Sequence, residues 1–166
     1  MPPRSWPRGC PRACGRRCDG VSDANKQIIR NLENALNSRD FDAAGDLLAD
    51  SVSHQGVQGS RALFMRTYKD IRETFPDYHA TIDRLFAEDD WVIELKTTSG
   101  SHLDGATTAH HGDLRGVEPT GKSFSIRQAH FWRICDGKII EHEVVRDDLG
   151  LLRQLGLASE RPGATQ

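Results

Sequence analysis

Polar side chains interrupt an apolar face in SFSIRQAHFWRICDGKIIEHEVVRDDLG, residues 123–150. The first half of this segment alternates like a β-strand, so Gln128 and His130 are predicted to share a face with Phe124 and Trp132. Burying polar groups without partners costs free energy, so they need a reason to be there. A neutral imidazole can relay a proton or donate a hydrogen bond to a carbonyl that becomes an enolate. The pattern therefore indicates acid–base chemistry in an apolar setting.

The register of the following hairpin decides which residues lie beside this pair. A two-residue loop would place Glu143 opposite His130, whereas a three-residue loop with a glycine bulge, residues 135–137, would place His142 there. The three-residue loop gives one apolar face and leaves arginines and glutamates together on the other. We therefore predict the three-residue loop, with Gln128, His130 and His142 forming a polar cluster in an apolar cavity.

The elements that must position this cluster can be read from the spacing of apolar residues. Helical spacing predicts a helix from Ser22 or Asp23 to about Ser38, a short helix capped by Asp40, and a third from a cap at Ser60 to Pro76. The period then changes to two, which predicts strands over DYHATIDRLFAE and WVIELKTTSGSH. The second of these strands has its more apolar face at Trp91, Ile93 and Leu95.

A long loop rich in Gly, Thr and His follows over about 103–118, then the hairpin and a short helix that ends at Gly156. Helices followed by a meandering sheet predict an α+β domain, with the N-terminal helices packed on one face of a curved, mostly antiparallel sheet. Such packing often leaves a cavity, and small-molecule sites favour concavities.

Composition excludes several other classes of function. The hydrophobic share is 37% and the net charge is −2. No apolar run approaches the roughly 18 residues that a membrane span needs, and no basic surface of the kind that binds nucleic acid is expected. We therefore expect a cytoplasmic protein without a membrane or nucleic-acid partner.

The first twenty residues differ from the rest of the chain. Residues 1–20 hold five arginines and one acidic residue, about +4, while the remainder has 17 basic and 23 acidic residues, about −6. This segment also has three cysteines but no apolar signal-peptide core. We interpret it as a disordered leader, hypothesise that the natural protein begins near Val21, and assign residues 21–157 to the domain and 158–166 to a flexible tail.

The domain contains four segments that are together typical of one family: KQIIRNLENALNSRDFDAAGDLLADSVSH, ETFPDYHATIDRLFAEDDWVI, HHGDLRGVEPTGK and GKIIEHEVVRDDLGLLRQLG. Over residues 24–157 the chain resembles the SnoaL-like polyketide (ester) cyclases, which have the nuclear transport factor 2-like fold. The resemblance implies an intramolecular aldol ring closure on a hydrophobic polyketide ester, without metal or cofactor. It also implies a homodimer paired through the outer face of the sheet, in a bacterial pathway.

Three family residues match this sequence, and a fourth does not. The family's glutamine and histidine two apart match Gln128 and His130, and its histidine twelve residues further matches His142. The aspartate that serves as acid and base in those cyclases is replaced here by Val144. The fold is expected to survive this departure, whereas histidines would have to carry the proton transfer or the reaction would have to differ.

Other side chains are candidates for the cavity wall. We expect substrate contacts from six of them: His54, Tyr68, His110, Phe124, Trp132 and Val144. For His54, which follows a short strand, a site residue and an ordinary histidine are equally open. The histidines lack the compact ligand spacing of a metal site, so no metal is expected. Two alternatives stay open: a non-catalytic binding module, and an isomerase, hydratase or hydroxylase in the same cavity.

Overall fold

The computed structural model describes residues 18–108 and 110–159. Their elements in chain order are α1 (Cys18–Asn37), α2 (Phe41–Asp46), β1 (Leu48–His54), β2 (Val57–Ser60), α3 (Arg61–Thr74), β3 (His79–Glu88), β4 (Trp91–Ser101), β5 (Ser123–Cys135), β6 (Lys138–Arg146) and α4 (Asp148–Gln154). The six strands form one sheet in the order β2-β1-β6-β5-β4-β3. Every neighbouring pair is antiparallel except β1 and β6, which run parallel. The predicted α+β class is confirmed.

Three helix caps explain where the shorter helices begin. The side chain of Asp40 accepts from the Ala43 amide at α2, Ser60 from the Leu63 amide at α3, and Asp147 from the Gly150 amide at α4. Each cap satisfies an amide that has no partner within its helix. The caps predicted at Asp40 and Ser60 are confirmed.

The predicted start of α1 is wrong. The helix begins at Cys18, so Ser22 and Asp23 lie inside it, and residues 18–20, assigned to a disordered leader, form part of its first turn. Residues 1–17 and 160–166 lie outside the described residues, so the leader and tail remain predictions there. A cap-forming residue type marks a possible helix start, but the helix extends past it where the preceding residues can also adopt helical geometry.

The β5–β6 hairpin has a different turn from the one predicted. Cys135 pairs with Lys138, so the loop is the two-residue Asp136-Gly137, and both loop residues have positive φ, 50° and 76°. Asp-Gly is favoured in this kind of tight hairpin because both positions need positive φ.

A shift in register after the turn restores the predicted face. Ile134 pairs with Ile139 but Arg133 pairs with Glu141, so β6 has one extra residue there. His142 therefore lies opposite Trp132, and Val144 lies opposite His130. The predicted His130–His142 pair is wrong, but the shared face of Gln128, His130 and His142 is right because the bulge supplies the residue assigned to the loop.

The inner face of β4 carries charges rather than the more apolar residues. Val92, Glu94, Lys96 and Thr98 are buried, while Trp91, Ile93 and Leu95 are half-buried on the outer face. The ammonium of Lys96 pairs with Glu33 of α1 and lies 3.3 Å from a carboxylate oxygen of Glu94. Burial opposes the charge on Lys96, but the two carboxylates raise its pKa well above the usual value. Mutual neutralisation makes this polar face tolerable inside the core.

Candidate functional site

The helices, the sheet and the long loop form a cavity of about 320 Å³ that opens to solvent beside Val57 and Leu63. Its wall is mostly apolar, with residues from α3 and β1 on one side and from the loop on another. The polar or aromatic residues that line it include His54, Phe64, Tyr68, Thr108, His110, His111, Gln128, His130, His142 and Arg146. A largely apolar cavity with a few convergent polar groups is the usual form of a small-molecule site.

One continuous series of hydrogen bonds runs along the cavity wall, and we call His54, His142, His130 and Gln128 the histidine chain. Nδ1 of His54 lies 3.0 Å from Nδ1 of His142. Nε2 of His142 lies 2.8 Å from Nδ1 of His130, and Nε2 of His130 lies 2.7 Å from Oε1 of Gln128. The amide nitrogen of Gln128 donates to the Thr98 hydroxyl at 2.7 Å, which ends the series on β4.

Strand geometry explains why these four residues meet. Gln128 and His130 are two apart on β5 and so share its inner face. His142 reaches that face because of the β6 bulge, and the parallel pairing of β1 with β6 sets His54 beside His142. The indole of Trp132 stacks on the His142 ring with centroids 4.0 Å apart and so fixes its plane.

The environment keeps the buried imidazoles neutral. Burial lowers the pKa of His130 and of His142 well below 6.5, and the positive charge of Lys96 lowers both further. The pKa of His54, an exposed residue whose ring is only partly covered, is also lowered, first by this partial burial and then by the charge of Arg146. A neutral imidazole has one donor nitrogen and one acceptor nitrogen, which is what a chain of this kind requires.

A second polar group, centred on Asp70 of α3, holds the long loop against the cavity. The carboxylate accepts from the backbone amides of Thr107 and Thr108, both at 2.8 Å, and from both hydroxyls. His110 Nε2 lies 2.8 Å from the same carboxylate. Burial opposes ionisation of Asp70, but the hydrogen bonds from Thr107 and Thr108 prevail and lower its pKa to about 2.

The second histidine of the loop connects the two groups. Nε2 of His111 lies 3.4 Å from the amide nitrogen of Gln128, and burial lowers the pKa of His111 well below its usual value. His111 has a φ of 41°, so the backbone adopts the left-handed region to turn its ring inward.

The structure brings most of the predicted site residues together. Those that line the cavity are His54, Tyr68, His110, Gln128, His130, His142 and Val144. Trp132 and Phe124 are buried behind the wall instead: Trp132 donates to Glu94 at 3.0 Å, and Phe124 packs on Phe75 with ring centroids 4.9 Å apart. The predicted contacts of these two aromatic rings with a substrate have no support in this geometry.

Sequence reasoning missed several polar residues of the site, among them Asp70, His111 and Arg146. The adjacent histidines at 110 and 111 offered a signal, since two consecutive imidazoles in a loop can face one cavity when one has positive φ. Asp70 offered none, because a lone acid in a charged stretch of α3 is indistinguishable from a surface residue until its loop partners are known.

Two kinds of feature are absent from the part of the chain that the structure describes. None of its helices combines the length and the apolar character needed to cross a membrane. Within the same residues, no group of three or more His, Cys, Asp or Glu side chains is arranged to hold a metal ion.

Comparison with known proteins assigns the family. The SnoaL-like polyketide cyclase family model matches residues 26–155, and the chain belongs to that family. It is 32% identical to the nogalonic acid methyl ester cyclase of Streptomyces nogalater over 113 residues, 67% of this chain and 78% of the relative. It is 27% identical to an aklanonic acid methyl ester cyclase of Streptomyces galilaeus over 135 residues, 77% of this chain and 88% of the relative.

Solved structures agree on the fold. AclR from Streptomyces galilaeus superposes with a TM-score of 0.70 at 24% identity, covering 86% of this chain and 87% of AclR. The architecture is the nuclear transport factor 2-like fold, as the resemblance implied.

Proposed function

We propose that this protein closes a ring in a hydrophobic polyketide-like ester by an intramolecular aldol reaction, using acid–base catalysis without a cofactor. The observation that carries the proposal is the histidine chain on the wall of an apolar cavity. The relatives named as methyl ester cyclases support this class of substrate. The cavity, about 320 Å³, lies at the lower end of the usual range for small-molecule sites.

The reaction needs a base and then an acid at one place. A base removes a proton next to a carbonyl, the enolate carbon attacks a second carbonyl, and an acid protonates the new alkoxide. His130 is the group proposed for both proton transfers: His142 orients its ring through the contact at 2.8 Å, and Gln128 holds Nε2 at 2.7 Å until the substrate takes that place. Neutral histidine suits both tasks because it has one lone pair and one N–H.

Assembly and location are part of the proposal. We expect a bacterial cytoplasmic enzyme that forms a homodimer through the outer face of the sheet. Phe86 and Val145 support this surface, since they lie on the outer face of β3 and β6 and are 51% and 65% exposed. Large apolar side chains left in water at such a surface favour burial against a second copy.

A non-catalytic binding module is the second candidate, and two observations favour it. Position 144 holds a valine opposite His130, so no carboxylate is available there. Both ring nitrogens of His130 and of His142 already have hydrogen-bond partners inside the protein. A cavity that only binds a hydrophobic ligand would need neither a free base nor a free acid. An isomerase, hydratase or hydroxylase would need its own activating group, and none of the described contacts favours one of them.

The test is turnover of nogalonic and aklanonic acid methyl esters. Ring closure leaves the mass unchanged, so the product is detected as a new species of equal mass with a different retention time and absorbance. We expect turnover by the wild type and a loss of about 10²-fold or more in His130→Gln, the range that acid–base catalysis contributes. His79→Ala, at an exposed position on β3, is the matched control and should turn over normally. Tight binding of the esters without turnover would instead establish the binding module.

A further inference from the structure

All the hydrogen bonds of the histidine chain can form only if they run in the same direction along it. With neutral imidazoles, each contact needs one N–H facing one lone pair. In a first arrangement His130 Nε2–H donates to Gln128, His142 Nε2–H donates to His130, and His54 Nδ1–H donates to His142. His54 Nε2 then carries a lone pair at the exposed end of the chain.

A second arrangement satisfies the same distances with every bond reversed. If the Gln128 amide is rotated by a half turn, its NH₂ donates to His130 Nε2, His130 Nδ1–H donates to His142, and His142 Nδ1–H donates to His54. His54 Nε2 then carries a proton. The Thr98 hydroxyl, 2.7 Å from the amide nitrogen, suits both arrangements because it can accept or donate, and His111 Nε2, 3.4 Å from the same nitrogen, suits both because its two tautomers offer a lone pair or an N–H. The two arrangements differ by the passage of one proton along the three histidines and by the half turn of the Gln128 amide.

We propose that His54, His142 and His130 form a proton relay between solvent and the cavity, so that His130 acts in turn as base and acid without a carboxylate at position 144. This inference rests on the proposed ring closure. His54 is suited to the outer end because it is exposed, whereas His130 and His142 are 5% and 3% exposed. In this proposal His54 transfers protons. It would have no such role if it only contacted the substrate or were an ordinary surface histidine.

The protons taken up and released by the relay balance over one catalytic cycle. In the second arrangement the substrate displaces the Gln128 amide, and His130 Nε2 takes the proton next to the carbonyl while the C–H electron pair forms the enolate. His130 Nδ1 passes a proton to His142 Nε2, His142 Nδ1 passes one to His54 Nδ1, and His54 Nε2 releases one to water. The chain is now in the first arrangement.

The second half reverses these steps. The enolate carbon forms the new C–C bond, and the resulting alkoxide takes the proton from His130 Nε2. His142 Nε2 then protonates His130 Nδ1, His54 Nδ1 protonates His142 Nδ1, and water protonates His54 Nε2. The chain returns to its starting arrangement with no net gain or loss of protons, as an aldol ring closure requires.

The first test needs no substrate. Long-range ¹H–¹⁵N NMR of uniformly ¹⁵N-labelled protein reports which nitrogen of each imidazole carries the proton. We expect a matched set for His130, His142 and His54: Nε2, Nε2 and Nδ1, or Nδ1, Nδ1 and Nε2, or an average that moves together. An unmatched set, for example His130 on Nε2 with His142 on Nδ1, would set two lone pairs face to face and would overturn the relay.

The second test separates the relay from the reaction. In His54→Ala we expect kcat to fall by about 10²-fold with KM unchanged, and added imidazole to restore part of the loss by occupying the vacated position. His79→Ala should keep wild-type kcat and show no response to imidazole. Undiminished turnover in His54→Ala would overturn the relay and leave the cyclase standing. Absence of turnover in the wild type would overturn the cyclase, while the NMR pattern would still decide whether the chain is continuous.

Discussion

Val144 lies directly opposite His130 in the β5–β6 pair, and both residues line the cavity. A side chain at position 144 is therefore held beside the imidazole that we propose as base and acid. In this chain that side chain offers no charge, and the electrostatic environment of His130 is set by burial and by the cations Lys96 and Arg146.

Val144→Asp should change the protonation of His130. A carboxylate beside the ring stabilises the imidazolium, so the pKa of His130 should rise toward its usual value. The carboxylate should also take over proton transfer and remove the cost of His54→Ala in the double variant. NMR titration and kcat measure the two effects. Val144→Asn, of similar shape but without charge, should leave both unchanged, and an equal response to Asn would show that shape rather than charge matters.

The buried histidines should make stability depend on pH. Because the folded pKa of His142 is lowered, the unfolded chain binds more protons below about pH 6.5, so the free energy of unfolding falls as the pH drops through that region. Between pH 7.5 and 5.5 this loss reaches at most about 1.4 kcal/mol, because pH 5.5 lies about one unit below the ordinary histidine pKa, and His142→Gln should remove it. Urea unfolding at pH 7.5 and 5.5 measures the difference.

Two other carboxylates with shifted pKa values do not disturb the comparison of wild type with His142→Gln. Burial raises the pKa of Glu94 to about 7, which gives a pH dependence of opposite sign, but it is present in both proteins and cancels. Asp70 titrates far below this window because its pKa is about 2. Exposed His79 provides the control variant His79→Gln. The idea fails if His142→Gln and wild type lose the same stability between the two pH values.

Removing the ammonium of Lys96 should destabilise the domain strongly. Lys96→Met leaves the carboxylates of Glu33 and Glu94 buried without their counter-ion and should cost about 3–5 kcal/mol. Glu33→Gln added to that variant should restore part of the loss, because one uncompensated charge disappears. Lys26→Met, which breaks an exposed pair with Asp23, should cost less than about 1 kcal/mol. Urea unfolding of the four proteins checks this, and equal costs for the two lysines would contradict it.

Asp70→Asn should loosen the long loop. The amide keeps the size of the carboxylate, but its NH₂ group cannot accept from Thr107 or Thr108, so about 1–3 kcal/mol of local stability should be lost. Hydrogen exchange of the Thr107 and Thr108 amides should accelerate. Asp104→Asn, whose carboxylate accepts only from the adjacent Gly105 amide among the described contacts, is the control in the same loop. Unchanged protection in Asp70→Asn would show that the loop is held by other contacts.

Local signals predicted much of the fold and the centre of the site. Short polar side chains before apolar runs correctly marked the caps at Asp40 and Ser60. Alternation on β5 was enough to place Gln128 and His130 on the cavity side, because side-chain direction in a strand depends only on position. The predictions that were right rest on rules acting within a few residues.

Long-range contacts account for the errors in the sheet and in the site, whereas the start of α1 and the turn at Asp136-Gly137 were misjudged locally. The apolar pattern of β4 favoured Trp91 and Leu95, yet Lys96 faces inward because Glu33, 63 residues earlier, supplies its counter-ion. The bulge in β6 and its parallel partner β1 likewise leave no pattern in the sequence that alternation could detect. Asp70 is recognisable as a site residue only once the loop it binds is in place.

The parallel pairing of β1 with β6 governs how the molecule is assembled during synthesis. His54 can pair with His142 only after 88 more residues have been synthesised. At a synthesis rate of roughly 5–20 residues per second, this takes roughly 4–18 seconds. Through this interval one edge of β1 has no strand to pair with and is open to wrong partners, and such distant pairings form slowly. The nascent chain can therefore collapse around its N-terminal helices early, but it acquires its histidine chain only when β6 has left the ribosome.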